Sequence, residues 1–256
     1  MLKFIVTVML LLPLLGYTAT VAVVDVKENT VITGSLDNEA VSIASISKLM
    51  TVYTVMKAHQ DLNEILTVTS NKTPNTKLIK GMTLSRLELI NLALVSSDNI
   101  AAITLSENFP GGHIRFIRMM NQNAKDLNMN NTGFVEPTGL SPMNYSTVTD
   151  IVELTKAVHE FNIFQIAAQT VTTAFNATTK TKRGYKNVHV NSNSTIKYFG
   201  TEGIVTIKTG FTNAAGFCIT MLVDVNNRLY NITVLGAKSK IERQRIVDTA
   251  LKQIRS

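Results

Sequence analysis

Ser45 and Lys48, in Ile43-Ala44-Ser45-Ile46-Ser47-Lys48-Leu49-Met50, could do nucleophilic chemistry together if the stretch is helical. One turn would then separate them, so both side chains project from one face and an amine lies beside a hydroxyl. A serine hydroxyl attacks poorly until a base takes its proton. A lysine shielded from water and flanked by other cations is neutral often enough to be that base. Ser45 would sit in the helix's first turn, where backbone N–H groups without intrahelical partners favour developing negative charge. Taken alone, the motif reads more readily as an ordinary helix start capped by serine. Ser194-Thr195-Ile196-Lys197 repeats it in an Asn/Ser-rich stretch that looks like a turn.

Two further stretches change that balance. Ser97-Asp98-Asn99 falls on a connection between two helical segments, and loops held by rigid scaffolds often carry chemistry. Lys208-Thr209-Gly210 ends a strand-like run, where a lysine, a hydroxyl and a glycine that permits close backbone approach can bind an anionic or carbonyl-bearing substrate. S-D-N and K-T-G each occur once, although the looser S-x-N also fits Ser106-Glu107-Asn108. In this order, S-x-x-K, S-D-N and K-T-G form the signature shared by class A β-lactamases and penicillin-binding proteins.

The elements that must position these motifs follow from periodicity. Residues 21–26 and 31–34 predict two strands joined by the turn Glu28-Asn29-Thr30. Ile46, Leu49, Met50, Tyr53 and Met56 recur at helical spacing from residue 45 to about 58. A second helix is expected to be capped by Thr83, with Leu84, Leu87, Ile90 and Leu94 buried. Helices over 100–108 and 113–127 follow, broken by Pro110-Gly111-Gly112. Residues 128–149, rich in Asn, Thr, Gly and Pro, predict an ordered irregular segment before a helix over 150–161. Residues 170–200 read as short strands and turns, and β-rich runs at 204–208, 216–224 and 228–235 precede a last helix over 241–254. Asn226-Asn227 suits a hairpin turn. Strands, helices, strands and helix in that order predict an α+β fold: an antiparallel sheet made from both chain ends, a helical cluster inserted between them, and a cleft where the two meet.

The 256 residues are 45% apolar, enough for a substantial core. Residues 1–20 have a basic start, an apolar run over 4–15 and a small-residue exit, which predicts a secretory signal peptide cut between 19 and 22, with an uncleaved anchor as the alternative. Export to the periplasm or cell envelope follows, and residues 21–256 are expected to form one domain. The single Cys218 cannot form an internal disulfide and is expected to pack as a small apolar residue. The net charge of +7 fits a solvated basic surface or attraction to an anionic wall or lipid surface. No aromatic-interleaved basic cluster points to nucleic acid. The last helix has a narrow apolar stripe at Val247, Ala250, Leu251 and Ile254 and no aromatic residue, so packing on the sheet is favoured over membrane contact, which would be peripheral at most. His59, His113, His159 and His189 are scattered without ligand spacing, and neither metal nor cofactor is expected.

The chain resembles the D-alanyl-D-alanine carboxypeptidase family of low-molecular-mass penicillin-binding proteins, and within it the D-alanyl-D-alanine endopeptidase branch. The resemblance extends beyond the motifs to Phe109-Pro110-Gly111-Gly112, Phe134-Val135-Glu136-Pro137-Thr138-Gly139-Leu140-Ser141, Ser146-Thr147 with Asp150, and residues 208–218. It implies a β-lactamase/penicillin-binding-protein-like fold and a serine D,D-peptidase acting on peptidoglycan stem peptides, with β-lactams as covalent inhibitors. Ser45 would attack a D-alanine carbonyl, Lys48 would take its proton, and Ser97 with Lys208 would pass a proton to the leaving amine. Asn99 would hold the substrate amide, the backbone N–H groups of Ser45 and Phe211 would form the oxyanion hole, and Thr209 beside Gly210 would bind the substrate carboxylate. By its ungapped spacing from K-T-G, Arg243 corresponds to a carboxylate-binding arginine in relatives; a solvated helix arginine is the other reading. Ser42, where a proline is common, is a small departure.

Two other classes stay open at this point. Glu136 after Ser97-Asp98-Asn99 could be the glutamate with which a β-lactamase activates its deacylating water, although the Leu-Asn pair such enzymes place shortly after it is missing. A non-catalytic wall-binding module on the same fold is the third reading. Endopeptidase and carboxypeptidase action share one acyl-enzyme and differ only in the leaving group.

Overall fold

The computed structural model describes residues 19–36, 39–70, 73–74, 76, 78–179, 182–190 and 202–256, with residues 172–190 described as backbone. Most of the expected signal peptide and the second S-x-x-K at Ser194 lie outside the described residues.

Strands β1 (Thr20–Asp25) and β2 (Thr30–Gly34) come from one end of the chain, and β9 (Ile204–Thr212), β10 (Gly216–Val225) and β11 (Arg228–Ala237) from the other. They pair into one antiparallel sheet in the order β2-β1-β11-β10-β9. Alternation along each strand gives that sheet two apolar faces. Val23, Ile219, Met221, Val223, Ile232 and Val234 pack with Ile246, Val247, Ala250 and Leu251 of the last helix, α7 (Lys240–Arg255), while Ala22, Val24, Cys218 and Leu235 join the larger core beneath the inserted helices. The last helix therefore lies on the sheet. Asn226 and Asn227 have φ of 54° and 62°, the two left-handed residues that a tight hairpin turn of this hand requires.

The inserted cluster contains α1 (Ser47–Lys57), α2 (Arg86–Val95), α3 (Asn99–Glu107), α4 (Gly112–Asp126), α5 (Val148–Val158) and α6 (Asn162–Gln169). Helix α1 is its centre: residues 47–55 are buried without a break, so the single apolar face expected from the sequence becomes a helix wrapped on every side. Short strands β3 (Val41–Ser42) and β6 (Tyr145–Ser146) pair beside it, and β4 (Ile65–Thr67), β5 (Thr83–Ser85), β7 (Thr172–Thr179) and β8 (Lys182–Val190) form a second sheet.

Three boundaries differ from the sequence reading. Ser85, not Thr83, caps α2, because Ser85 Oγ accepts from the Glu88 N–H while the Glu88 carboxylate accepts from the Ser85 N–H, and both residues also pair with β4. Residues 162–169, given no element in the sequence, form α6 against β9. Ser45 stands not in the first turn of α1 but in a short 3-10 turn, Ala44–Ile46, just before it.

Candidate active site

The Ser45 turn is held in a strained shape. Ala44 has φ of 47°, a left-handed conformation uncommon for a residue with a side chain. Ser47 Oγ donates to Ala44 O at 2.9 Å, Asn144 Nδ2 donates to Ser47 Oγ at 3.1 Å, and Ile43 N donates to Asn144 O at 3.3 Å. Two glycines let backbone close on this turn. A Cβ on Gly210 would come within 2.9 Å of Ser45 N, and one on Gly139, whose φ is +82°, within 1.8 Å of Ala44 O. The K-T-G strand β9, at the edge of its sheet, and the 136–141 segment thus flank the serine, which alone in its turn is partly exposed.

Lys48, one residue into α1, is fully buried, and its Nζ lies 3.0 Å from Ser45 Oγ, 2.7 Å from Asn99 Oδ1 and 2.8 Å from the Thr138 carbonyl. Burial lowers its pKa from 10.5 to about 7 against the opposing charges of Glu136 and Asp98. That near-neutrality has a geometric consequence. Asn99 Nδ2 donates to Pro74 O at 2.6 Å, which fixes Oδ1 toward the lysine, and a carbonyl can only accept. A neutral amine keeps two hydrogens for Asn99 and Thr138, so its lone pair must face the Ser45 hydroxyl. The arrangement sets an amine lone pair, able to act as a base, against the Ser45 hydroxyl.

Ser97 closes the other side. It is buried with φ of 57°, a second strained residue, and Lys208 Nζ donates to its Oγ at 3.0 Å and to Thr209 O at 2.9 Å. The Lys208 pKa is pushed well below the usual lysine value by burial first, then by the charges of Lys48 and Arg243. Asp98 is structural: it caps α3 through the Ala101 N–H at 2.9 Å and accepts from Thr76 Oγ1 at 2.9 and 2.8 Å.

Ser45, Lys48, Ser97, Asn99, Lys208 and Gly210 therefore converge on one spot. Thr209 is half-buried next to them, and the Phe211 side chain is 52% exposed, stacked on Phe217 with ring centroids 4.2 Å apart. Arg243 is 4% exposed, with its Nη1 3.4 Å from Cys218 O, so the solvated-arginine reading is wrong. The packing of α7 turns that side chain into the sheet beneath β10. His113 lies against Ser106 on α3, Ser106 Oγ being 2.9 Å from its Nδ1. Thr138, Gly139 and Asn144 were not singled out as site residues from the sequence. Their contribution passes through a carbonyl, a missing side chain and a buried amide; the run of residues 134–141 holds Thr138 and Gly139, and Asn144 lies outside it.

Glu136 does not have the setting of a water-activating base. Its Oε2 accepts from Thr138 N at 2.7 Å and Thr138 Oγ1 at 2.5 Å, and its Oε1 from Gly139 N at 2.6 Å and Ser141 N at 3.3 Å. Both oxygens are committed to the turn they belong to.

A serine hydroxyl, a near-neutral lysine aimed at it and a second serine–lysine pair across the cleft are the equipment of a serine acyl-transfer enzyme. Relatives narrow the class. A family model described as D-alanyl-D-alanine carboxypeptidase matches residues 17–239, and the chain belongs to that family. The D-alanyl-D-alanine endopeptidase of Escherichia coli is 39% identical over 223 residues, covering 85% of this chain and 71% of that protein. That of Pseudomonas aeruginosa is 38% identical over 78% of this chain and 65% of its own length, and D-alanyl-D-alanine carboxypeptidase DacF of Bacillus subtilis 27% identical over 84% and 57%. In fold, the chain matches the Streptomyces K15 DD-transpeptidase with a TM-score of 0.85 at 21% identity, covering 93% of this chain and 97% of that one.

Proposed function

We propose that this protein is a serine D,D-peptidase of the bacterial cell envelope, cleaving D-alanyl bonds in peptidoglycan stem peptides through an acyl-enzyme on Ser45. The observation that carries the reading is the hydrogen-bonding of Lys48, which leaves only Ser45 Oγ to its lone pair. Lys48 takes the hydroxyl proton as Oγ attacks the D-alanine carbonyl. The oxyanion so formed is held by the N–H groups of Ser45 and Phe211, the type of donor worth about 10²–10³ in rate each. The C–N bond then breaks as Ser97, backed by Lys208, passes a proton to the leaving amine. Water cleaves the ester and restores Ser45. Asn99 holds the substrate amide, and Thr209 at Gly210 binds the carboxylate. Arg243, the carboxylate-binding candidate, is 4% exposed and adds positive charge behind Lys208.

Endopeptidase action on crosslinks is favoured over carboxypeptidase action, because identity is 39% to the former relative and 27% to DacF. β-Lactams would acylate the same serine. The β-lactamase reading is disfavoured by the fully engaged Glu136 carboxylate, and a binding module would not need the strained, converging polar groups. Digestion of purified peptidoglycan tests the assignment. The expected result is conversion of crosslinked dimers to monomers; release of free D-alanine with dimers persisting would make it a carboxypeptidase instead. Export is tested by fractionation, with the mature protein expected in the periplasm or envelope and beginning between residues 19 and 22.

A further inference from the structure

Every donor that Glu136 engages belongs to its own turn, which the rest of the fold also fixes: Asn144 Nδ2 donates to Glu136 O at 2.8 Å, and Thr51 Oγ1 donates to Pro137 O at 2.6 Å. The turn presents two things to the nucleophile, the Thr138 carbonyl that accepts from Lys48 Nζ and the bare Cα of Gly139 against Ala44 and Ser45. Without the carboxylate, three backbone N–H groups and a hydroxyl would have to find other partners, and the Thr138 carbonyl, one residue past the Pro137 anchor, would lose the bonds to its own residue's N–H and hydroxyl that set its angle to the amine. We propose that Glu136 is a positioning residue for the Ser45–Lys48 pair, gathering the 136–141 turn so that the Thr138 carbonyl orients the lysine lone pair toward the serine.

Charge adds a second effect of the same residue. The Glu136 carboxylate opposes the desolvation of Lys48 and so keeps the ammonium form more accessible than burial alone would. The other charged groups around the amine are Asp98, engaged by Thr76 and the α3 N-terminus, and Lys208 across Ser97, with Arg243 behind it. None of them changes when Glu136 is altered. The inference rests on the proposed function, in which Ser45 is the nucleophile and Lys48 its base.

The test is the acylation rate of the full chain by a fluorescent penicillin, followed across pH for the wild type, Glu136→Gln and Glu136→Asp. Gln should slow acylation about 10- to 100-fold, as misplacing a reacting group by an ångström does, and should move the acid limb of the profile to lower pH, because a charge that held the lysine pKa up is gone. Asp keeps the charge with a shorter reach, so the rate should fall while the acid limb stays in place. Wild-type acylation rates in both variants would overturn the proposal. A slowed Gln variant with an unmoved acid limb and a melting temperature lowered in proportion would reduce Glu136 to a structural residue. Normal acylation with slowed release of the penicilloyl group would make it the deacylation base. If the Gln variant does not fold, the Asp variant decides by its rate and limb. Failure of the wild type to label at Ser45 would instead refute the proposed function.

Discussion

Replacing Lys48 with Met should change how stability depends on pH. Burial lowers the Lys48 pKa from 10.5 to about 7 in the folded chain, while the unfolded chain titrates near the ordinary value. Below about pH 7 both states hold the proton and the folded protein carries the full penalty of a buried cation. Between about pH 7 and 10.5 only the unfolded chain holds it, so stability rises with pH by about 1.4 kcal/mol per unit. The penalty works out at about 4 kcal/mol at pH 7 and about 2 kcal/mol at pH 9. Lys48→Met removes this term and leaves Asn99 Oδ1 and the Thr138 carbonyl short of a donor, a loss of about 1–3 kcal/mol per buried group that does not vary with pH. The wild type should therefore gain about 2 kcal/mol on the variant between pH 7 and 9, and nothing between about pH 5 and 6. Urea unfolding of both proteins at unit pH steps gives the numbers. A difference that stays constant from pH 6 to 9 would mean that Lys48 titrates as an ordinary lysine, and the argument for a preformed base would fall with it.

Other outcomes follow from the same geometry. Acylation by penicillin should lose about tenfold per pH unit below about pH 7, since the base must be neutral to act, and a profile flat to about pH 5 would exclude Lys48 as that base. Gly139→Ala puts a Cβ 1.8 Å from Ala44 O at a φ of +82°, and calorimetry should read a loss of about 2–4 kcal/mol with acylation abolished. Cys218 is fully buried with its thiol pushed up to about 11, so a thiol reagent should not modify the folded protein at pH 8 and should react fully once it is unfolded in urea.

The convergence of Ser45, Lys48, Ser97, Asn99 and Lys208 was legible in the sequence because the candidate site is marked by residue types at fixed spacings. The sheet was legible for a related reason, since the apolar runs over 204–237 and the Asn226-Asn227 turn are local signals. What stayed hidden is set by the backbone or by packing. The positive φ of Ala44 and Ser97 contradicts their local preference and is imposed by contacts far off in sequence. Thr138 acts through a carbonyl that any residue possesses. Thr83 and Ser85 both pair with β4, and Ser85 is the cap because Glu88, three residues on, returns its carboxylate to the Ser85 N–H. Arg243 carries a residue type at home on a wet helix face, and only the sheet beneath α7 explains why it is buried. The buried chain Thr155–Thr220–Thr233–Asn231, linking α5 to the sheet, likewise joins residues whose types suggest surface.

The central claim is that Ser45 forms the acyl-enzyme. Intact-protein and peptide mass spectrometry after brief exposure to penicillin tests it most directly. A single penicilloyl adduct on the peptide containing Ser45, slow to disappear and absent from Ser45→Ala, is the expected result. No adduct, or one that persists in Ser45→Ala, would contradict the account.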